Sequence, residues 1–201
     1  MPSIAIATEG STRDRVVAVA APLFAERGFA GVSMRDIADA AGIKAASLYN
    51  HFTDKEELYF SVLEQEFAKT VAVVEQSMDA TGRPENRLKA TIMALAGRSA
   101  DDNVSRKLMH RELMDGDHAR LERLTASLYK APYDRMTQLF SEIAPKGNAR
   151  TLTAYINALI TGYFLLEPVL RQLDADLPMD PEVVGTEIAG LLLSNLNQGS
   201  K

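Results

Sequence analysis

Between positions 42 and 59 the chain reads GIKAASLYNHFTDKEELY. Lys44, Ser47 and Asn50 recur every three residues, which sets them on one face of one helix. Tyr49, His51 and Lys55 gather beside the end of that helix and the start of the next. All of these side chains donate hydrogen bonds or carry positive charge. Lys55 is the most informative, because it falls in the first turn of a helix, where the macrodipole disfavours a cation. A nearby phosphate reverses that preference, since the ammonium and the helix N-terminus both attract it. Exposed tyrosine and histidine donate to phosphate oxygens, contacts that position a protein on a duplex. The chemistry that fits this cluster is DNA binding.

Such side chains need a frame. Apolar residues at Val16, Val17, Ala20, Leu23 and Phe24 predict a helix over 12–27, stopped by Gly28, with Pro22 expected to kink it. SMRDIADAAG predicts a short helix capped by Ser33, with Asp36 where a capping box carries Glu or Gln, and ended by Gly42 at C′. A second short helix is expected over 44–51, with Leu48 and Phe52 facing inward. Two short helices joined by a tight glycine turn form a helix-turn-helix pattern. TDKEEL then opens a long helix, with Thr53 and Glu56 at capping-box spacing. Phe60, Leu63, Phe67, Val71 and Val74 carry it towards residue 79.

The run FAERGFAGVSMRDIADAAGIKAASLYNHFTDKEEL resembles the DNA-binding domain of TetR-family transcriptional regulators. The resemblance covers residues 12–60. It rests on the Phe-x-x-x-Gly-Phe end of the first helix, Ser33, the IADAAG turn, LYNHF and DKEEL. It implies that Ser33, Tyr49, His51 and Lys55 contact phosphates, and that Arg35, Lys44, Ala45, Ala46, Ser47 and Asn50 face the major groove. Ala45 and Ala46 depart from the polar or bulky readers often found there. Alanine reaches at most a thymine methyl, so direct readout falls to Arg35, Lys44, Ser47 and Asn50, and DNA shape carries more of the preference. Beyond residue 60 the resemblance implies architecture only, a long all-α ligand-binding and dimerisation region.

TGRPEN breaks the chain, and further helices are expected over 84–99, 102–114, 118–144, 148–173 and 181–196, with Pro132 and Pro168 as kinks. No strand-like alternation occurs. The expected fold class is therefore all-α. A flexible arm (1–11) precedes an N-terminal three-helix helix-turn-helix DNA-binding domain (12–58); a larger α-helical ligand-binding and dimerisation domain (59–197) and a tail (198–201) follow. The 148–173 helix is apolar almost all round, and the last helix is similar; one chain covers only one face of each. Pairing across a two-fold axis is expected through Leu152, Tyr155, Leu159, Gly162 and Leu166 on one helix and Val184, Ile188, Leu191 and Leu192 on the other. The resemblance implies that these helices form a four-helix dimer bundle, and two half-sites about one helical turn apart require a dimer. An apolar effector pocket is expected from Met93, Met109, Leu113, Tyr129, Tyr133, Met136, Phe140 and Phe164, with His110 and Asn157 orienting a ligand. Methionine and tyrosine at helical spacing serve equally as core, and His110 fits a hydrogen-bonded core or interface histidine as well.

Composition sets limits on these readings. The formal net charge is −5, and the first 58 residues hold six Lys and Arg against eight Asp and Glu, so DNA binding must rest on where the charges sit. Without cysteine there is no disulfide and no thiolate metal site. The histidines at 51, 110 and 118 lack metal spacing, and neither a G-x-S-x-G elbow nor a phosphate loop occurs. HRE at 110–112 has the start of a zinc-deaminase site without its cysteine pair, and Glu112, Asp115 and Asp117 read as a solvated helix end. An enzyme, a cofactor and a metal are not expected. The N-terminus has no positive n-region, and the longest charge-free run, 151–166, is shorter than the roughly 20 apolar residues of a spanning helix. The expectation is a cytoplasmic homodimer that binds a palindromic double-stranded DNA operator and no membrane, a repressor released by a small hydrophobic effector. The alternative, a helical ligand-binding or interaction module without operator binding, leaves Tyr49, His51 and Lys55 without a purpose.

Overall fold

The computed structural model describes residues 11–198 apart from 102 and 146, with side chains described to residue 194. The expected arm, except Ser11, and the expected tail, except Gln198, lie outside the described residues.

Helix α1 (Thr12–Arg27) is opened by a reciprocal cap: Ser11 Oγ accepts from the Asp14 N–H, and the Asp14 carboxylate accepts from the Ser11 N–H. It continues through Pro22 and buries Val16, Val17, Ala20 and Phe24. Gly31, in the turn that follows, has no room for a side chain, because a Cβ there would lie 2.4 Å from the Arg27 carbonyl oxygen. Helix α2 (Met34–Ala41) begins at the expected Ser33, with aspartate completing the box. It ends at Gly42, whose φ of 67° is left-handed and whose N–H returns to the carbonyls of Ala38 and Asp39.

Helix α3 is shorter than 44–51. Only Ala45–Leu48 is α-helical, with Lys44 at the N-cap and residues 49–51 in tight turns. Bonds from Ser47 N–H to the Lys44 carbonyl, Asn50 N–H to Ser47 and His51 N–H to Leu48 tighten the segment, and Leu48 and Phe52 anchor it in the core. The start of α4 (Lys55–Met78) also differs from the Thr53–Glu56 box. Asp54 caps it, accepting from the Glu57 N–H at 2.8 Å, while Thr53 gives its N–H and hydroxyl to the Glu57 carboxylate at 2.6 and 2.7 Å. Aspartate is the better N-cap, so the box slides one residue along.

The remaining elements are α5 (Pro84–Asp101), α6 (Asn103–Asp115), α7 (His118–Leu124), α8 (Lys130–Ile143), α9 (Ala149–Leu165), α10 (Glu167–Leu173) and α11 (Pro181–Gln198). Two expected single helices are divided. The 118–144 helix carries a π turn at Thr125–Tyr129, between α7 and α8. Pro132 explains its position: the ring has no N–H to give Leu128 and crowds that carbonyl, and the wider π turn makes room. The 148–173 helix breaks at Leu166 with a bend of 66°, and Pro168 lies in the first turn of α10. Among the described residues no single helix is long and apolar enough to cross a membrane.

The core forms two clusters that share α4. One joins α1, α2 and α3 to Leu58–Phe67 of α4, with Leu108 of α6 and Leu124 of α7. The other gathers Val74 and Met78 of α4 with α5, α8, α9 and α11.

Candidate DNA interface and ligand cavity

The short α3 segment turns every expected DNA-contacting side chain except Ser47 and Lys55 fully outward. Lys44, Ala45, Ala46, Tyr49, Asn50 and His51 are exposed, Tyr49 at 55%, while Ser47 and Lys55 are half-buried. Ser33 and Arg35, at the start of α2, are exposed as well. Ser33 Oγ is held within its cap, donating to Asp36 at 2.6 Å and accepting from the Asp36 N–H. The Ser33 hydroxyl first, and then the Ser33 N–H donating to the same carboxylate at 2.8 Å, hold the Asp36 carboxyl below the usual range. Arg35 stands 3.9 Å from Asp39, one turn away. An ion pair this exposed is weak, and the guanidinium can leave it for another anion.

Lys55 departs from the helix-dipole reading. Its ammonium donates to the carbonyl oxygens of Phe29 at 2.9 Å and Val32 at 3.1 Å, and lies 4.2 Å from the centre of the Phe29 ring. The cation in the first turn of α4 has protein acceptors, and it ties that turn to the α1–α2 connection. Of its three N–H donors, the two bonds leave one.

Behind this surface, α6 binds α1 to the rest of the chain. Arg111 donates to the carbonyls of Ala25 at 2.8 Å and Glu26 at 2.5 Å, the end of α1 where a cation suits the dipole. Lys107 pairs with Glu26 and holds that carboxyl below its usual range. One position further on, Glu112 is fully buried; it accepts from the Tyr59 hydroxyl at 3.0 Å and from Arg120 Nε at 2.8 Å. Arg120 also reaches Asp117 at 3.1 Å and Glu56 at 3.3 Å. Glu112 is therefore the centre of a buried network rather than part of a solvated helix end. Burial first, then Glu112, pushes the Tyr59 phenol up, so it remains a donor.

A cavity of about 580 Å³ lies among α4, α5, α6, α8 and α9. Six expected residues line it: Met109, Leu113, Tyr129, Tyr133, Met136 and Asn157. Four do not. Phe140 and Phe164 are fully buried in the second core cluster, Met93 packs at Gly185 of α11, and His110 is exposed to solvent. Each lies on a helix that does border the cavity or its neighbour, but on a face turned elsewhere. The sequence reading missed the α4 wall (Phe67, Thr70, Val71 and Val74) and a polar end formed by Arg98, Ser99, Ser105 and Arg106. The alternating apolar face of α4 was visible in the sequence; its opening onto a cavity was not. Among the described residues no three His, Asp or Glu side chains are placed to hold a metal ion.

On α9 and α11, Ile156, Ile160 and Phe164 point into the core, while Tyr155, Leu159, Leu166, Val183 and Leu191 are exposed. Leu152, Gly162 and Ile188 are half-buried. Val184 and Leu192, expected at an interface, are packed inside the chain's own core at 2% and 7% exposure, because α11 turns that stripe towards α5.

Residues 16–62 match the family described as bacterial regulatory proteins, tetR family. The HTH-type transcriptional repressor KstR2 of Mycobacterium tuberculosis is 40% identical over 84 residues, 42% of this chain and 42% of the relative. The matched stretch thus spans less than half of that relative's length. The solved structure of the ketosteroid transcriptional regulator KstR2 of M. tuberculosis superimposes with a TM-score of 0.69 at 23% identity, covering 94% of this chain and 96% of that one. AibR in complex with isovaleryl coenzyme A and operator DNA gives a TM-score of 0.73 at 18% identity over 90% and 97% of the two chains. At such identities the two structures share the fold.

Proposed function

We propose that the chain, whose residues 16–62 match the family of bacterial regulatory proteins, tetR family, is a homodimeric, ligand-responsive repressor that binds a palindromic operator. The observation that carries the reading is the outward row Lys44, Asn50, Tyr49 and His51, with half-buried Ser47 between them, mounted on a segment pinned by buried Leu48 and Phe52. Lys44, Ser47, Asn50 and Arg35 read base edges, with Ala45 and Ala46 against the groove wall. Ser33, Tyr49, His51 and the remaining ammonium proton of Lys55 hold phosphates. Two copies meet through the exposed apolar faces of α9 and α11, which sets two α3 segments into successive major grooves.

The effector occupies the cavity. Its wall includes the middle of α4 and one face of α6, through Ser105, Met109 and Leu113. A neighbouring face of α6 grips α1 through Lys107 and Arg111. A ligand that fits only one setting of α6 and α4 therefore favours one placement of the reading segment, and DNA release follows by reciprocity. The relative named a repressor and the like-folded protein that carries both an acyl-coenzyme A and operator DNA support this coupling.

The test is selection from a random DNA library with purified protein at moderate salt. A palindromic motif with half-sites about one helical turn apart is expected. Failure to enrich any motif, with no measurable binding to bulk DNA, refutes operator binding and returns the chain to the interaction-module reading.

A further inference from the structure

We propose that the cavity takes an anionic amphiphile, its apolar body against α4, α8 and α9 and its carboxylate or phosphate head at Arg106 and Arg98. The proposal rests on the reading of the cavity as an effector site and adds the ligand's charge, which an apolar wall alone leaves open.

The chain is acidic overall, at −5, yet among the described residues that line the cavity there is no Asp or Glu, and the charged side chains are the two arginines. Arg98 lies in the last turn of α5, where a cation suits the helix dipole, and it is engaged within the chain. It contributes charge to that end of the cavity. Arg106 has no such reason for its place. It falls in the first turn of α6, the positive end of the dipole, where helix stability favours Asp or Glu. The same oddity at Lys55 is accounted for by two carbonyl acceptors. Among the described residues Arg106 has one: its NH1 donates to the Ser99 carbonyl at 2.7 Å. No carboxylate among the described residues pairs with it, and it is half-buried. The Ser99 bond anchors the guanidinium and leaves further N–H donors of its planar fork, the geometry that takes a carboxylate or phosphate in two parallel bonds. Ser99 and Ser105 line the same end. A cavity of about 580 Å³ with an apolar majority and one cationic end has the size and polarity of a site for a chain or ring system ending in an anion.

The experiment is calorimetric titration of the protein with dodecanoate, dodecyl phosphate, dodecanol and dodecyltrimethylammonium, each below its micelle concentration. Dodecanoate or dodecyl phosphate is expected to bind at least about tenfold tighter than dodecanol, with the cation weakest. Added salt should narrow the gap. Arg106→Gln should bring the acid-to-alcohol ratio close to one, and Arg106→Lys, which keeps the charge without the fork, should fall between. A clear excess of phosphate over carboxylate assigns the head as a phosphate, and the reverse assigns a free acid. Dodecanol within about twofold of both anions, no binding of any probe, or a preference that survives in Arg106→Gln each overturns the proposal; if the Gln variant does not fold, the probe ranking and its salt dependence decide. Operator binding is measured on the same samples. Its loss with the anion preference intact refutes the repressor reading and not the anion site.

Discussion

Changing Tyr59 to Phe removes one oxygen from the seam between the start of α4 and α6–α7. The ring keeps its surroundings: it is fully buried, edge-on to Phe24 at 4.8 Å, tilted against Phe29 at 5.1 Å, and beneath the Arg120 guanidinium at 5.3 Å. What disappears is the hydroxyl that donates to Glu112 Oε2 at 3.0 Å. Glu112 has no exposed surface, so water does not replace the lost donor. A hydrogen bond to a charged group contributes about 1.5–3 kcal/mol. Because Arg120 still holds the other carboxylate oxygen, a loss of about 2 kcal/mol is expected. For a chain of this length that lowers Tm by roughly 4–8 °C. Glu112→Gln keeps the volume and removes the charge; Arg120 retains Asp117 and Glu56, so a similar loss of about 2–3 kcal/mol is expected. In the double variant the losses should fall short of their sum by about 1 kcal/mol or more, since Tyr59→Phe removes the bond that Glu112→Gln weakens. Urea unfolding followed by helical circular dichroism measures all four proteins, at one protein concentration because assembly contributes to stability. A Tyr59→Phe protein within about 0.5 kcal/mol of wild type, or an additive cycle, refutes the claim that this bond ties the seam.

Lys55→Ala should lower stability by about 1–2 kcal/mol through the lost bonds to Phe29 and Val32; a salt slope of DNA binding equal to that of wild type would remove Lys55 from the phosphate set. Lys44→Ala and Ser47→Ala should change preference among selected operator variants, whereas His51→Ala should weaken all of them alike; the reverse pattern in a competition assay exchanges their roles. Leu159→Asp with Leu191→Asp should give a folded monomer in sedimentation velocity, and an intact dimer moves the interface elsewhere. Burial pushes the phenols of Tyr59 and Tyr129 above their usual value. A raised folded pKa gives stability that is complete below the unfolded value of about 10 and is lost as pH rises past it. Urea midpoints should therefore fall above about pH 10, and Tyr129→Phe should reduce the slope; parallel curves for the two proteins would disprove the assignment.

Local chemistry was the legible part. Ser33, Gly42 and the apolar spacing of 12–27 are decided within a few residues, and the structure matches them. The next level was legible in outline. Pro132 and Pro168 were expected as kinks within single helices, but only the packed structure makes one a π turn and the other a 66° bend. Lys55 was singled out correctly as a misplaced cation, but its acceptors lie in a turn 23 and 26 residues earlier, beyond the reach of periodicity. The cavity was the least legible. Met109 and Tyr129 were found because they are large and at helical spacing; Phe140 and Phe164 satisfy the same test and fill core. Which of two apolar faces borders a void depends on the rotation of whole helices, and that is fixed by contacts distant in sequence.

Helix α4 belongs to both core clusters, and that gives it leverage. Its 24 residues make a rod about 36 Å long. Val71 and Val74 face the cavity on one half, while Leu58 and Leu63 are embedded in the core shared with α1, α2 and α3 on the other. A rod pivoted near the cavity and tilted by about 5° moves its far end by roughly 2.5 Å, from length alone. Across the proposed two-fold axis the displacement would double to roughly 5 Å, measured against half-sites about 34 Å apart. A register error of that size exceeds what a hydrogen bond to a base edge can span. In the proposed dimer an operator would therefore be lost through a rotation too small to break either core.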